Sequence, residues 1–156
     1  MGGVTVVFFF AAVVLLVALG WALLFLVFRR RLATARRSGV EPRGDGLGVP
    51  LVAAFSGWKG IPWVAWASSN INPTLILHPD HVECRVIRTR RKRYEAIFRV
   101  DYRETFGTNN VVLEFADSIS SFAGNTANRM TARDAISRLS QMGCPLSTRA
   151  RNLLDG

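Results

Sequence analysis

Residues from Val4 to Phe28 are almost all hydrophobic, and this stretch contains no charge and no proline. As an α-helix it would be about 37 Å long, which exceeds the roughly 30 Å hydrocarbon core of a bilayer. A helix on the surface of a soluble domain keeps a polar face, whereas this stretch is apolar on every face. The pattern therefore predicts a single transmembrane helix near the N-terminus.

A secretory signal peptide is the alternative interpretation of this segment. Residues Ala33–Ala35 match a small-x-small cleavage pattern. However, the residues before the apolar stretch carry no basic side chain, and the stretch is longer than the roughly 7–15 residues of a signal-peptide core. We therefore expect the segment to remain as an anchor.

From residue 73 onward the pattern changes to the short, alternating runs that are typical of β-strands. In the clearest run, Val82, Cys84 and Val86 fall on one face and charged residues fall on the other. Turn signals such as Pro79-Asp80 and Thr108–Asn110 separate the runs. The predicted strands cover residues 74–78, 81–88, 94–102, 111–116 and 119–123.

The C-terminal part of the chain predicts an amphipathic helix. Residues 132–142 have one apolar and one polar face, with Thr131 as the predicted N-cap and Gly143 as the stop signal. A short terminal helix is expected over residues 146–154. Strands followed by a helix predict an α+β domain, a small antiparallel β-barrel or sandwich capped by the C-terminal amphipathic helix.

Two stretches lie between the predicted anchor and these strands. Residues 38–48 are polar and rich in glycine, which predicts a flexible linker. Residues 49–67 are apolar, but their prolines and glycines exclude a second spanning helix. This stretch is either an interfacial segment with Trp58, Trp63 and Trp66 at the headgroups, or a short helix and a strand with the tryptophans in the core. The predicted organisation is an anchor with a basic flank over residues 1–37, a linker over 38–48 and a domain over 49–156.

Positive charge is concentrated beside the predicted anchor. The chain has 20 Lys and Arg against 11 Asp and Glu, and residues 29–37 contain arginines but no acid. The positive-inside rule then places the N-terminus outside and the C-terminal domain in the cytoplasm. Arginine greatly outnumbers lysine, as in GC-rich genomes, so we expect the inner membrane of a bacterium. The residues predicted to lie at the membrane interface are Arg29, Arg30, Arg31 and Trp58.

A second basic block occupies residues 85–103, and its centre is predicted to be the exposed tip of a β-hairpin. Beneath a bilayer, anionic headgroups attract each nearby basic residue by about 1 kcal/mol. A solvated loop also accounts for this charge, whereas single-stranded nucleic acid is disfavoured because aromatic residues do not interleave with the basic ones. We therefore expect membrane lipid or a protein as the partner, and no nucleic acid. The predicted binding residues are Arg88, Arg90, Arg91, Lys92 and Arg93.

Side chains suited to catalysis are sparse. His78, His81 and Cys84 have the spacing H-x-x-H-x-x-C, and imidazole and thiolate are good zinc ligands. A solvated turn and a buried cysteine account for the same residues, so a metal-dependent enzyme is the alternative hypothesis. The sequence contains no phosphate-binding loop and no nucleophile-elbow motif. The leading expectation is therefore a non-enzymatic protein without a cofactor.

The order and spacing of these strands also resemble a known family. The positions that carry the resemblance are Asn72–Leu77 with a turn at Asp80, the spacing Tyr94-x-x-Ile97-x-x-Val100, and Val111–Phe115 before an acidic turn. Together they are similar to the bacterial pleckstrin-homology-like domains that are often attached to membrane helices. The resemblance covers about residues 62–146 and implies a barrel with a capping helix. It also implies a binding or scaffolding role, such as that of a membrane-anchored adaptor or accessory subunit.

Overall fold

The computed structural model describes residues 2–37, 39–69, 71–105 and 108–156. These residues form two compact units that divide between Thr34 and Ala35. The first unit is helical, and the second contains the described strands and two further helices. An apolar N-terminal helix followed by an α+β domain is therefore confirmed.

Helix α1 spans Gly2–Arg37. Its segment Phe8–Val27 has a mean hydropathy of 2.8 over 20 residues, so it is long and apolar enough to cross a membrane. The described side chains of this segment are exposed, for example Trp21 at 70%. Large apolar side chains that no protein covers favour an apolar environment, which the interior of a bilayer supplies.

The described part of the second unit contains two five-stranded antiparallel sheets. Sheet A has the order β1-β2-β5-β6-β7 and contains β1 Glu41–Arg43, β2 Gly46–Val49, β5 Thr74–Leu77, β6 His81–Arg85 and β7 Thr89–Arg93. Sheet B has the order β4-β3-β10-β9-β8 and contains β3 Ala53–Trp58, β4 Ile61–Ser69, β8 Ile97–Thr105, β9 Thr108–Phe115 and β10 Ser120–Asn125. A 3₁₀ turn at Tyr94–Ala96 joins β7 to β8.

The segment predicted to be a flexible linker, residues 38–48, contains β1 and most of β2. Gly44 forms the turn between the two strands with a φ of +65°. At Gly46 a Cβ atom would lie 2.8 Å from the carbonyl oxygen of Leu77 on β5. Glycine is thus required at position 46 for the close approach of two strands, and the prediction of a flexible linker is wrong.

The stretch 49–67 contains the hairpin of β3 and β4 in place of a short helix followed by one strand. Its glycines and prolines disfavour a helix, and Gly60 at a φ of +83° forms the tight turn of the hairpin. Trp58 ends β3 and is 54% exposed, so it does not lie in the core. The side chains of Trp63 and Trp66 lie outside the described residues.

Two helices follow the strands. Helix α2 spans Arg129–Gln141, and its N-cap is Asn128, whose Oδ1 accepts a hydrogen bond from the Thr131 N–H at 2.7 Å. The prediction of Thr131 as the N-cap is therefore wrong by one turn, and asparagine is a preferred residue at this position. Gly143 ends the helical segment at a φ of +82°. Helix α3 spans Thr148–Asp155, which confirms the short terminal helix.

The inner faces of both sheets and of α2 and α3 share one hydrophobic core. Both cysteines, Cys84 and Cys144, are free thiols buried in it. The side chains of α2 that are buried in this core are Ala132, Ala135, Ile136 and Leu139. Burial of these positions confirms the predicted apolar face of the helix as far as Leu139, whereas Met142, also predicted for this face, is 39% exposed.

The two sheets are not closed into a barrel, so the closed form of the predicted architecture is wrong. Strand pairings among the described residues run within each sheet only, which leaves β7 at one edge of sheet A. The 3₁₀ turn after β7 carries the chain across to sheet B, and no ladder joins β7 to that sheet among these residues. The coarser prediction of antiparallel sheets with a C-terminal helix is confirmed.

Candidate functional site

Most of the predicted binding residues lie on β7, the edge strand of sheet A. We call the following five residues the basic edge: Arg88, Arg90, Arg91, Lys92 and Arg93. The prediction that they form a hairpin tip is wrong, because the turn lies at residues 86–88. Strand β7 pairs with β6 along its whole length, from Thr89 opposite Arg85 to Arg93 opposite His81. The positive charge therefore lies along a fixed strand.

One face of the basic edge is turned towards sheet B, because side chains alternate along a strand. The Nη1 atom of Arg90 donates a hydrogen bond to Ser120 Oγ at 2.9 Å. Lys92 forms an ion pair with Asp117. These two contacts join the edge strand of sheet A to the β9–β10 turn and the first residue of β10 through side chains.

The other arginines of the basic edge are open to solvent. Arg91 forms an ion pair with Glu83 at 2.8 Å, and 72% of its side chain is exposed. Arg88 and Arg93 are exposed, and neither has an ion pair or hydrogen bond among the side chains that the structure describes. Neighbouring like charges without partners produce a positive potential that attracts anions.

One end of sheet B is exposed and apolar. We call Trp58, Phe98 and Ile119 the apolar end, and they are 54%, 53% and 81% exposed. The N–H of Lys59 donates to the carbonyl of Ile119 at 2.7 Å, which places the β3–β4 and β9–β10 turns side by side. Of the three, only Trp58 was predicted from the sequence to lie at an interface. Alternation from the buried Val100 would place Phe98 inward, and the irregularity in β8 between Ile97 and Arg99 turns it outward, so no local signal predicts its exposure.

Two cations and a buried carboxylate support this end of the sheet. Glu114 is 1% exposed, and its Oε1 accepts hydrogen bonds from the Gly60 N–H at 3.1 Å and from Arg99 Nη2 at 3.1 Å. The Nζ of Lys59 lies 3.9 Å from the centroid of the Phe98 ring, a cation–π contact. The β3–β4 turn is therefore held in a defined position rather than left as a loose loop.

The basic edge and the apolar end adjoin each other. The contacts from β7 reach Asp117 and Ser120, the residues on either side of Ser118 and Ile119 in the β9–β10 turn. The hydrogen bond from Lys92 holds the pKa of Asp117 below its usual value, as expected for a carboxylate that accepts a hydrogen bond from a cation. The cations that surround the apolar end are Lys59, Arg90, Lys92 and Arg99.

His78 and His81 form a pair that Cys84 does not join. The two imidazole rings stack with centroids 4.3 Å apart, and their Nδ1 atoms bond Asp45 at 2.8 Å and Asp80 at 2.6 Å, respectively. Cys84 lies on the opposite face of β6 from His81, and burial raises the pKa of its thiol to about 12. Within the described ranges, no group of three His, Cys, Asp or Glu side chains is arranged to hold a metal ion.

The other predicted interface residues lie in the last turns of α1. Arg29 and Arg30 follow the end of the apolar segment Phe8–Val27, and the guanidinium of Arg29 lies 5.9 Å from the ring centroid of Phe25. Basic residues at this position are typical of the flank of a membrane-crossing helix. The side chain of Arg31 lies outside the described residues.

The fold and the site together define a class: a chain with one apolar N-terminal helix and an α+β domain of two antiparallel sheets. Comparisons with protein-family models, with curated proteins and with solved structures find no match. The resemblance to pleckstrin-homology-like domains therefore rests on the sequence pattern.

Proposed function

We propose that this protein is a membrane-anchored, non-enzymatic adaptor or accessory subunit whose sheet domain binds the anionic lipid surface. The observation that carries the proposal is the contiguity of the basic edge with the apolar end. Cations attract lipid headgroups, and exposed tryptophan and isoleucine side chains partition into the interfacial region. The two surfaces thus match the two layers of a membrane interface.

The covalent anchor favours lipid over other anionic partners. A domain that follows an apolar helix directly in the chain stays close to the bilayer, so weak attraction is enough to orient it. Each basic residue near the surface contributes about 1 kcal/mol, and salt screens this attraction beyond about 8 Å at physiological ionic strength. The role of the site is then to fix which face of the domain a protein partner meets.

Three roles other than lipid binding are the alternatives for the basic edge and its surroundings. Basic residues on an edge strand also protect a sheet from pairing with another chain. An acidic protein partner would use the same charges. The metal-dependent enzyme is the weaker alternative, because Cys84 is buried away from His81 and each imidazole is bonded to a carboxylate.

The test uses full-length protein in lipid nanodiscs with an environment-sensitive fluorophore on a single introduced cysteine. The chain offers a matched pair of exposed isoleucines, Ile119 at 81% in the apolar end and Ile71 at 79% beyond the far end of β4. We expect the label at Ile119→Cys to shift to the blue in phosphatidylglycerol nanodiscs and not in phosphatidylcholine nanodiscs. The label at Ile71→Cys should give the same spectrum in both.

Raised salt should abolish the shift at position 119, because the attraction of exposed charges is screened. Equal spectra of the two labels in both lipids would rule out binding of this face to lipid. In that case the basic edge is left as a docking site for an acidic protein or as a protected sheet edge.

A further inference from the structure

A cavity of about 300 Å³ lies between the two sheets, at the side where they do not close into a barrel. This volume is at the lower end of the range for small-molecule sites. Strands β3, β4, β9 and β10 of sheet B contribute one wall. Strand β6 and the β6–β7 turn contribute the other, and β7 contributes Arg90. The apolar lining includes Ala67, Val86, Phe115 and Phe122.

The wall of the cavity offers few free hydrogen-bonding groups to a ligand. The hydroxyl of Ser56 donates to the carbonyl of Ser121 at 3.3 Å, and the hydroxyl of Ser121 donates to the carbonyl of Trp58 at 3.4 Å. Cys84 also lines the cavity, and burial raises the pKa of its thiol to about 12, which keeps the thiol protonated. The hydroxyls of Ser56 and Ser121 are already bonded to the backbone, so the interior of the cavity favours a hydrocarbon ligand.

Charge at the cavity is of one sign. Arg88 and Arg90 both line it and are exposed to solvent, which places their guanidinium groups at the rim. Arg90 is positioned by its hydrogen bond to Ser120. Among the described lining residues there is no carboxylate to neutralise them. Guanidinium groups pair in a bidentate manner with carboxylate and phosphate.

We propose that this cavity binds the hydrocarbon chain of an anionic amphiphile, with the carboxylate or phosphate head at Arg88 and Arg90. The inference deepens the proposed function, because the same arginines belong to the basic edge. Two sources share this chemistry: a free fatty acid, or a phospholipid of the bilayer that places one chain in the cavity.

The experiment uses full-length protein in phosphatidylcholine nanodiscs with a diazirine-bearing medium-chain fatty acid. After illumination, labelled residues are mapped by mass spectrometry. Labelling of α1 is the internal reference for probe in the bilayer. We expect label at Val86 and Phe122 in the parent protein. In Ala67→Trp the label at these residues should be about tenfold weaker, because the larger side chain excludes roughly two methylene groups of the probe from the apolar cavity. Ala67→Leu is the smaller variant if the first does not fold, as judged by its melting curve.

Two further arms test the head group and the source. A diazirine fatty alcohol should label Val86 and Phe122 weakly, and Arg88→Gln with Arg90→Gln should lower the label from the acid to that level. A diazirine phospholipid that labels the same residues assigns the ligand to the bilayer, whereas label from the free acid alone assigns it to a soluble amphiphile.

The inference is overturned if folded Ala67→Trp and Ala67→Leu are labelled at Val86 and Phe122 as strongly as the parent, or if the alcohol labels as strongly as the acid. Failure of this inference is distinct from failure of the proposed function. Ala67 is not part of the basic edge or the apolar end, so the blue shift of the label at Ile119→Cys should persist in the Ala67→Trp protein.

Discussion

Arginines on β7 and arginines around Asp101 look alike in the sequence, but the structure gives them opposite surroundings. The Asp101 cluster, defined as Asp101, Arg103, Ser147 and Arg149, is built on a carboxylate that is 1% exposed. On the basic edge, the acid partner Asp117 has a side chain that is 53% exposed, and Arg88 has no partner among the described side chains.

The contacts of Asp101 show what the first arrangement does. Its Oδ1 accepts from Ser147 Oγ at 2.6 Å, and its Oδ2 accepts from Arg149 Nη2 at 2.6 Å and from Arg103 Nε at 3.0 Å. These bonds fasten the N-terminus of α3 to β8. An arginine whose acid is buried therefore holds elements together, whereas an arginine whose acid is exposed or missing is available to a ligand.

The largest expected effect comes from removing the buried acid. Asp101→Ala leaves two arginines without their shared carboxylate, and we expect a loss of about 3 kcal/mol in the free energy of unfolding. Asp117→Ala is the matched control, because it removes the exposed acid partner of Lys92 at the basic edge and should cost less than about 1 kcal/mol. Denaturant unfolding of both variants measures the two losses. Equal losses would contradict the distinction between the two regions.

A smaller loss of stability is expected at acidic pH. Burial alone raises the pKa of Asp101, but the hydrogen bonds from Ser147 and Arg149 outweigh it and hold that pKa below its usual value. An unfolded aspartate has a pKa of about 3.9. The contribution of Asp101 is therefore complete above about pH 4 and is lost as the pH falls through the lowered native pKa.

The measurement is the melting temperature of the parent and of Asp101→Asn as a function of pH. Their difference should be constant between about pH 5 and 8 and should shrink only below about pH 4. A difference that changes near neutral pH would show that a group other than Asp101 is responsible.

The smallest effect on stability is expected at the basic edge. Changing Arg88 and Arg93 together to serine should alter the free energy of unfolding by less than about 0.5 kcal/mol, because neither has a partner among the described side chains. The same pair should weaken lipid binding about 30-fold, at about 1 kcal/mol for each charge. Titration of the blue shift at position 119 with anionic lipid measures this change.

The matched control removes two arginines from the exposed surface of α2, Arg129→Ser with Arg138→Ser. It has the same net charge as the Arg88 and Arg93 variant. A nonspecific effect of net charge would weaken lipid binding equally in the two proteins, and that result would remove the basic edge from the proposal.

Local signals account for the parts of the fold that could be predicted. The apolar run of α1, the alternation at Val82 and Cys84, and the stop at Gly143 each act within a few residues of the chain, and the predicted elements are present. The hairpin of β1 and β2 was missed because residues 38–48, which include Gly46, have the polar, glycine-rich composition of a linker. The need for glycine at position 46 comes from the close approach of the Leu77 carbonyl, and the hydrophobic periodicity of the sequence does not report such a contact.

The candidate site could be predicted in composition but not in geometry. The charge of the basic edge is visible in the sequence, whereas its division into two faces depends on the register of β7 against β6. The apolar end brings together Trp58 and Ile119, which are distant in the chain and meet through a bond between two turns. The cavity requires walls from both sheets, so no single segment carries a signal for it.

Burial of the two native thiols has a practical and a physiological consequence. Burial raises the pKa of Cys84 to about 12 and the pKa of Cys144 to about 11, so neither forms an appreciable thiolate at neutral pH. A membrane-impermeant maleimide added to intact cells should therefore leave both native cysteines unlabelled, so that labelling of Ile71→Cys, or its absence, reports which side of the membrane the sheet domain occupies. The same burial shields both sulfurs from an oxidant in whichever compartment the domain occupies.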